Sequence, residues 1–182
     1  RGKIDRVDTA RGAEDREYLR VVDYKTGARR FSLSDVYYGV GLQLVVYLMA
    51  AENRLAALGH PAEPAGGVYF SIRLPDLEED EDEGKRLMGF RMNGFLLASY
   101  DAARALDAGA KKLLSMNAEI DPAEEQVRTG DNCFTREELQ DIFAFARHSI
   151  VQAAEQIYGG KIEVCPLEQD GRMPCDNCPY GA

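Results

Sequence analysis

The chain has 182 residues, 45% of them hydrophobic, enough to bury the core of one domain. Acidic residues outnumber Lys and Arg by 31 to 22, and the net charge of −9 argues against indiscriminate nucleic-acid binding, which draws on basic surface. No apolar run is long enough to cross a membrane and no secretory-signal pattern opens the chain. A cytoplasmic setting is therefore expected, and disulfides among the four cysteines are not.

Two acidic strands come first. Gly2–Asp8 and Val21–Gly27 are rich in Ile, Val and Tyr and are separated by polar, Gly-containing sequence from Thr9 to Glu17. The spacing predicts an antiparallel hairpin. Side chains alternate faces along a strand, so Asp23 and Lys25 share a face while Tyr24 points away. Lys3, Asp5 and Val7 share one face of the first strand, and Ile4, Arg6 and Asp8 the other. Paired strands would set Asp5 beside Asp23. Two adjacent carboxylates repel each other, and a hard divalent cation such as Mg²⁺ relieves that repulsion. A lysine two residues on could touch the same phosphate or attacking water. A solvated hairpin with its charges facing water fits the same three residues.

Ser34 to Leu58 reads as one long helix, capped by Ser34 or Asp35 and ended by Gly59 and Pro61. Its apolar stripe is Val36, Val40, Leu44, Tyr47, Leu48 and Ala51. Gln43 and Tyr47, four apart, lie on one face of it. A glutamine on an apolar face needs a partner. Val68 to Ile72, after Gly66 and Gly67, reads as a buried strand, with Arg73 a surface or phosphate-facing cation. The acidic run 76–83 is expected to be solvated and away from any nucleic-acid cleft. A helix over about Leu96 to Met116 and a charged stretch from Asp121 to Asp131 follow. Thr135 and Glu138 form a capping box for a second long helix. Its stripe is Leu139, Ile142, Phe143, Ala146, Ile150, Ala153 and Ile157, with Gly159 and Gly160 as its stop. Lys161 to Val164 is a candidate short strand.

Cys175 and Cys178 form a C-x-x-C pair whose spacing suits an iron–sulfur cluster, zinc or redox chemistry. Cys133 and Cys165 read as small buried hydrophobes. His60 and His148 have no ligand-like spacing to these groups.

Gly-x-Ile-Asp-Arg-Val-Asp from Gly2, Asp-Tyr-Lys-Thr-Gly from Asp23, and Gln43-x-x-x-Tyr47, in this order, resemble the RecB-like branch of the PD-(D/E)XK nuclease superfamily. More closely, the chain resembles the C-terminal nuclease domain of the B subunit of bacterial ATP-dependent helicase/deoxyribonucleases. The run from Asp35 to Leu48 and that from Pro64 to Phe70 carry it through most of the chain. The resemblance implies an α/β fold, with a restriction-endonuclease-like central mixed sheet of about four strands flanked by helices. It implies Asp5, Asp23 and the Tyr24 carbonyl as ligands of Mg²⁺ (or Mn²⁺), with Lys25, Gln43 and Tyr47 completing the catalytic set. DNA and a helicase-nuclease A subunit are the implied partners, and hydrolysis during double-strand-break repair and recombination the implied role.

The family usually opens with a helix carrying another ligand, which would precede Arg1. It also carries a [4Fe–4S] cluster, of which Cys175 and Cys178 match two ligands. The expected division is thus 1–164, a nuclease domain lacking its first helix, and 165–182, a truncated cysteine tail without its cluster. Three alternatives are a CRISPR-associated RecB-like iron–sulfur exonuclease, a non-catalytic DNA-binding or scaffold module, and a zinc-stabilised interaction domain centred on the cysteine tail.

Overall fold

The computed structural model describes residues 2–27, 29–72, 90–107, 113, 116, 118–129, 132–168, 173, 175, 178 and 179. Arg73 and the acidic run 76–83 lie outside the described residues. Two compact units are formed, Arg1–Ala146 and Arg147–Ala182.

The first unit is built on a mixed sheet. β1 (Arg6–Arg11) pairs antiparallel with β2 (Glu17–Lys25), with Arg6 opposite Val22 and Arg11 opposite Glu17. The first strand therefore starts and ends later than its sequence suggested. The ladder continues through Arg11, and the chain reverses over Gly12–Arg16, where the Gly12 amide donates to the Arg16 carbonyl at 2.8 Å. β2 runs parallel to β3 (Glu63–Ser71), which is antiparallel to β4 (Asn93–Leu97). β4 is parallel to the two-residue β7 (Cys133–Phe134), so the order is β1-β2-β3-β4-β7, five strands rather than four. β3 is longer than the expected Val68–Ile72: it takes in Gly66 and Gly67, while Ile72 falls outside it and is 56% exposed. The glycines let β3 and β4 close on each other, since a Cβ at Gly94 would overlap the Gly67 carbonyl.

The expected long helix is two. α1 (Leu33–Tyr37) is capped by Ser32, not Ser34 or Asp35; Ser32 Oγ accepts from the Asp35 amide at 3.3 Å. The chain then breaks at Gly39, whose φ of +75° only glycine adopts without strain. The Val40 and Gly41 amides both donate to the Asp35 carbonyl, and α2 (Gln43–Ala57) starts afresh. The 3.6-residue pattern runs through the break, which is why periodicity alone joined the two.

Leu96 and Leu97 belong to β4, and the helix expected over 96–116 shrinks to α3 (Tyr100–Leu106), capped by Ser99. A short apolar run such as Phe-Leu-Leu does not distinguish strand from helix. The charged stretch holds a second sheet, β5 (Ala118–Asp121) against β6 (Gln126–Thr129). Asp121 Oδ1 accepts from the Ala123 and Glu124 amides to form its turn.

α4 (Arg136–Tyr158) carries the capping box: the Thr135 amide donates to Glu138 at 2.7 Å, and Thr135 Oγ1 accepts from the Glu138 amide at 3.2 Å. Its stripe is buried at Leu139, Phe143 and Ala146 only. In the second unit Ile150, Ala153 and Ile157 are exposed, Lys161–Val164 is not a strand, and Cys165 is exposed rather than buried.

The sheet separates two apolar clusters. One unites Leu19 and Val21 of β2 with Leu44, Val45 and Leu48 of α2, and with Phe31, Tyr69, Phe95 and Leu139. The other holds Val22, Val68, Leu96, Ala103, Leu113 and Ile120. Leu44, Val45 and Leu48 are wholly buried. At roughly 1.5–3 kcal/mol each, they fix α2 against the face that also carries Asp23 and Lys25. No helix among the described residues is long and apolar enough to cross a membrane.

Candidate active site

Alternation along β2 puts Leu19, Val21, Asp23 and Lys25 on the face that α2 covers. The first two fill the core, and the last two meet the first turn of α2. Lys25 Nζ lies 2.5 Å from Asp23 Oδ2 and donates to Gln43 Oε1 at 2.8 Å. Gln43 Nε2 donates to the Tyr47 hydroxyl at 3.2 Å. A lysine can only donate, so Gln43 must turn its oxygen to Lys25 and its nitrogen to Tyr47. The glutamine that the sequence left in need of a partner thus has two, and the chain Asp23–Lys25–Gln43–Tyr47 links β2 to α2.

Asp5 precedes β1. Continued by one residue, the β1–β2 register puts it opposite Asp23. Its own carboxylate is exposed and accepts from the Tyr24 amide at 3.1 Å. The Tyr24 carbonyl lies one residue beyond Asp23 on the same strand. Asp8 sits on the opposite face, between Arg6 (2.6 Å) and Arg20 (3.0 Å).

Asp23 is 4% exposed, and its Oδ2 is buried without a hydrogen bond; the nearby Lys25 ammonium supplies charge but not an aligned donor. Such a buried carboxylate oxygen, with a single ammonium beside it and no aligned donor, retains the capacity to bind a further cation. The residues here therefore fit a hard divalent ion. Among the described residues no cluster of three or more His, Cys, Asp or Glu side chains could hold a metal. An ion here would thus take one or two carboxylates and complete its shell with carbonyl, water and phosphate oxygens, as Mg²⁺ prefers.

One neighbour was not read from the sequence. Tyr69 lies opposite Asp23 across the β2–β3 ladder, with its ring centroid 5.5 Å from Lys25 Nζ. Burial pushes the Tyr69 hydroxyl's pKa up, and Arg29 and Lys25 partly oppose this. Tyr69 was legible as part of a buried strand. Only the parallel register of β2 with β3 brings it to Asp23. The surface hollows around Glu52 and Glu63 are lined by neither Asp5 nor Asp23; Glu63 begins β3, at the other end of the sheet.

Cys175 and Cys178 are free thiols, and the Cys178 amide donates to the Cys175 carbonyl at 3.1 Å. Cys133 is partly buried against the second apolar cluster.

A mixed five-stranded sheet with an Asp-x-Lys pair on a central strand, facing a Gln-x-x-x-Tyr helix, defines a nuclease-type α/β domain. The chain belongs to the PD-(D/E)XK nuclease superfamily, whose family model matches residues 1–182. It is 34% identical over 189 residues to the B subunit of the ATP-dependent helicase/deoxyribonuclease of Moorella thermoacetica, covering 98% of this chain and 16% of that protein. The corresponding B subunit of Clostridium kluyveri is 33% identical over 192 residues, and that of Enterococcus faecalis 32% over 191, again across 16% of each. The chain thus spans about a sixth of the length of the curated relatives it matches.

Proposed function

We propose that this chain is the nuclease domain of a helicase/deoxyribonuclease B subunit and hydrolyses DNA phosphodiesters with Mg²⁺ or Mn²⁺. In this reading the protein works with an A subunit in double-strand-break repair and recombination, and residues 1–164 form the nuclease domain. The observation that carries it is the buried Asp23 oxygen without a hydrogen bond, at the end of the Asp23–Lys25–Gln43–Tyr47 chain. The names of the relatives support the biological setting.

Asp23, Asp5 and the Tyr24 carbonyl would hold the ion. When bound, it supplies Lewis acidity toward a phosphoryl oxygen and lowers the pKa of a coordinated water. Lys25 orients the attacking water and stabilises charge gathering on the phosphate. Gln43 fixes the ammonium from α2, so Lys25 does not need to reorganise as that charge develops. Tyr47 in turn holds Gln43 in the one amide orientation that faces an oxygen to Lys25. Cys175 and Cys178 would supply two thiolates to a [4Fe–4S] cluster in the full-length subunit, a role their C-x-x-C spacing and the backbone bond between them support.

The test is Mg²⁺-dependent cleavage of a single-stranded oligonucleotide by the full-length subunit with its A partner, beside Asp23→Ala and Lys25→Ala. Cleavage by wild type alone is expected. A wild type as inert as the two variants, with the metal supplied, would end the enzyme reading.

A further inference from the structure

We propose that Tyr37 and Tyr38, two exposed rings just ahead of the Gln43 turn, form a platform on which bases of a single nucleic-acid strand stack as it approaches Lys25. This rests on the nuclease reading above and adds a base-contacting subsite to it.

The platform is held by the fold. Val36 of α1 is buried in the core beside Phe31. Phe31 is itself pinned by the Phe95 ring, 4.7 Å away between centroids, and by Asn93 Oδ1, which accepts from its amide at 2.7 Å. Tyr37 and the helix-ending Tyr38 are left outside, 65% and 58% exposed. Their rings meet edge to face, with centroids 5.1 Å apart and planes at 82°. Tyr37 also stacks on Phe145 of α4, at 5.7 Å and 10° between planes. Phe145 is carried by the helix turn that buries Phe143 and Ala146. Rings braced in this way lose little freedom when a ligand arrives.

The platform also lies next to the site. The Val40 and Gly41 amides donate to the Asp35 carbonyl at 2.9 and 3.0 Å, and a Cβ at Gly41 would fall 2.6 Å from that of Asp35. The chain between the tyrosines and α2 is therefore folded back on α1. Two residues after Gly41, Gln43 Oε1 accepts from Lys25 Nζ at 2.8 Å. Even a fully extended chain would carry Tyr38 only about 17 Å from Gln43, and the folded turn brings it nearer. A strand lying at Lys25 thus has its neighbouring nucleotides within reach of the rings.

Charge selects the occupant. The chain is net negative at −9, and Lys25 is already engaged by Asp23 and Gln43, so attraction to phosphate is limited. Stacking on an aromatic ring requires no positive charge and accepts every base, since each has a π face. It is available only to a strand whose bases are unpaired, which makes the platform selective for single strands.

The experiment uses the full-length subunit with its A partner. It compares wild type, Tyr38→Ala, the double variant Tyr37→Ala with Tyr38→Ala, the double variant Tyr37→Phe with Tyr38→Phe, and Asp23→Ala. The substrates are oligothymidylate and an oligomer of abasic tetrahydrofuran nucleotides with the same phosphates, each cleaved with Mg²⁺ across KCl concentrations. The double alanine variant should lose about tenfold in kcat/KM on oligothymidylate, mainly through KM, and little on the abasic oligomer. Tyr38→Ala, which leaves the Tyr37–Phe145 stack in place, should lose about threefold. The double phenylalanine variant keeps both rings and should stay within about twofold of wild type. The log–log salt slope should not change, because no phosphate contact is lost. Equal losses on the two oligomers, or a flattened salt slope, would overturn the inference. So would an alanine variant that no longer associates with the A subunit on size exclusion, which would assign the rings to a protein partner. Wild-type rates in the alanine variants, with Asp23→Ala inert, would also overturn it and leave the nuclease reading standing. A wild type that cleaves neither oligomer removes both.

Discussion

The β1–β2 hairpin holds two carboxylate–cation groups, one on each face, and they are opposites. Asp8 is flanked by Arg6 and Arg20, each within hydrogen-bonding distance, and its charge is matched twice over. Asp23 is more deeply buried, faces a single lysine, and shares that lysine with Gln43. One of its oxygens has no hydrogen bond. Folding alone accounts for Asp8: its ion pair with Arg20 ties β1 to β2, and that with Arg6 lies within β1. It accounts less fully for Asp23, whose buried oxygen has the Lys25 ammonium 2.5 Å away but no aligned hydrogen bond. The contrast separates a carboxylate that holds the sheet from one held ready by it.

The largest expected effects come from exchanging the two losses. Asp23→Ala should lower Mg²⁺-dependent cleavage by about 10³-fold, the order of several kcal/mol that a positioned metal supplies. It should leave stability within about 1 kcal/mol, because the partly exposed Lys25 keeps Gln43 and water as partners once the carboxylate is gone. Asp8→Asn should do the reverse, losing roughly 1–3 kcal/mol of stability with cleavage per folded molecule unchanged. Urea unfolding and single-turnover cleavage on the same preparations decide it. If Asp8→Asn abolished cleavage while remaining folded, the division between the faces would be wrong.

A smaller effect tests the link to α2. Gln43→Leu keeps the side chain's bulk but removes the acceptor for Lys25 and the donor to Tyr47. Cleavage should fall about tenfold, the scale of one hydrogen bond to a charged group, with KM little changed. Tyr47→Phe, one bond further out, should lose less. Equal losses in the two variants would mean that the glutamine acts on substrate directly rather than through Lys25.

How much of this was legible beforehand depends on the range of the interaction. Asp23 and Lys25 share a face because strands alternate, and Gln43 faces Tyr47 because helices repeat, so these pairs could be read locally. The Thr135–Glu138 capping box was equally local. Asp5 opposite Asp23 followed from a hairpin even though the strand's limits were misjudged. What escaped were long-range or conformational facts. Gly39's positive φ cuts a helix whose apolar period continues across it. Leu96 and Leu97 become a strand because β3 offers an edge. Tyr69 reaches Asp23 only through the parallel β2–β3 register. Along α4 one apolar stripe is buried up to Ala146 and exposed beyond it, and periodicity cannot tell which half meets a surface.

The smallest effect is also the cleanest test of why Asp8 belongs to the fold. Burial is the largest single influence on its carboxyl and pushes the pKa up, but hydrogen bonds and charge from Arg6 and Arg20 together outweigh it and hold the group below its ordinary value. The folded chain therefore binds this proton less readily than the unfolded one. Asp8 contributes its full stabilisation above the unfolded carboxylate value of about 3.9, and loses it as the pH falls from there through the lowered folded value. The stability gap between wild type and Asp8→Asn should accordingly be constant from pH 7 to about pH 5 and narrow only below about pH 4. Urea unfolding of the 182-residue chain at each pH measures it. A gap that stayed the same at pH 3 would mean that the two arginines do not depend on Asp8 being ionised, and the contrast between the two faces would then rest on Asp23 alone.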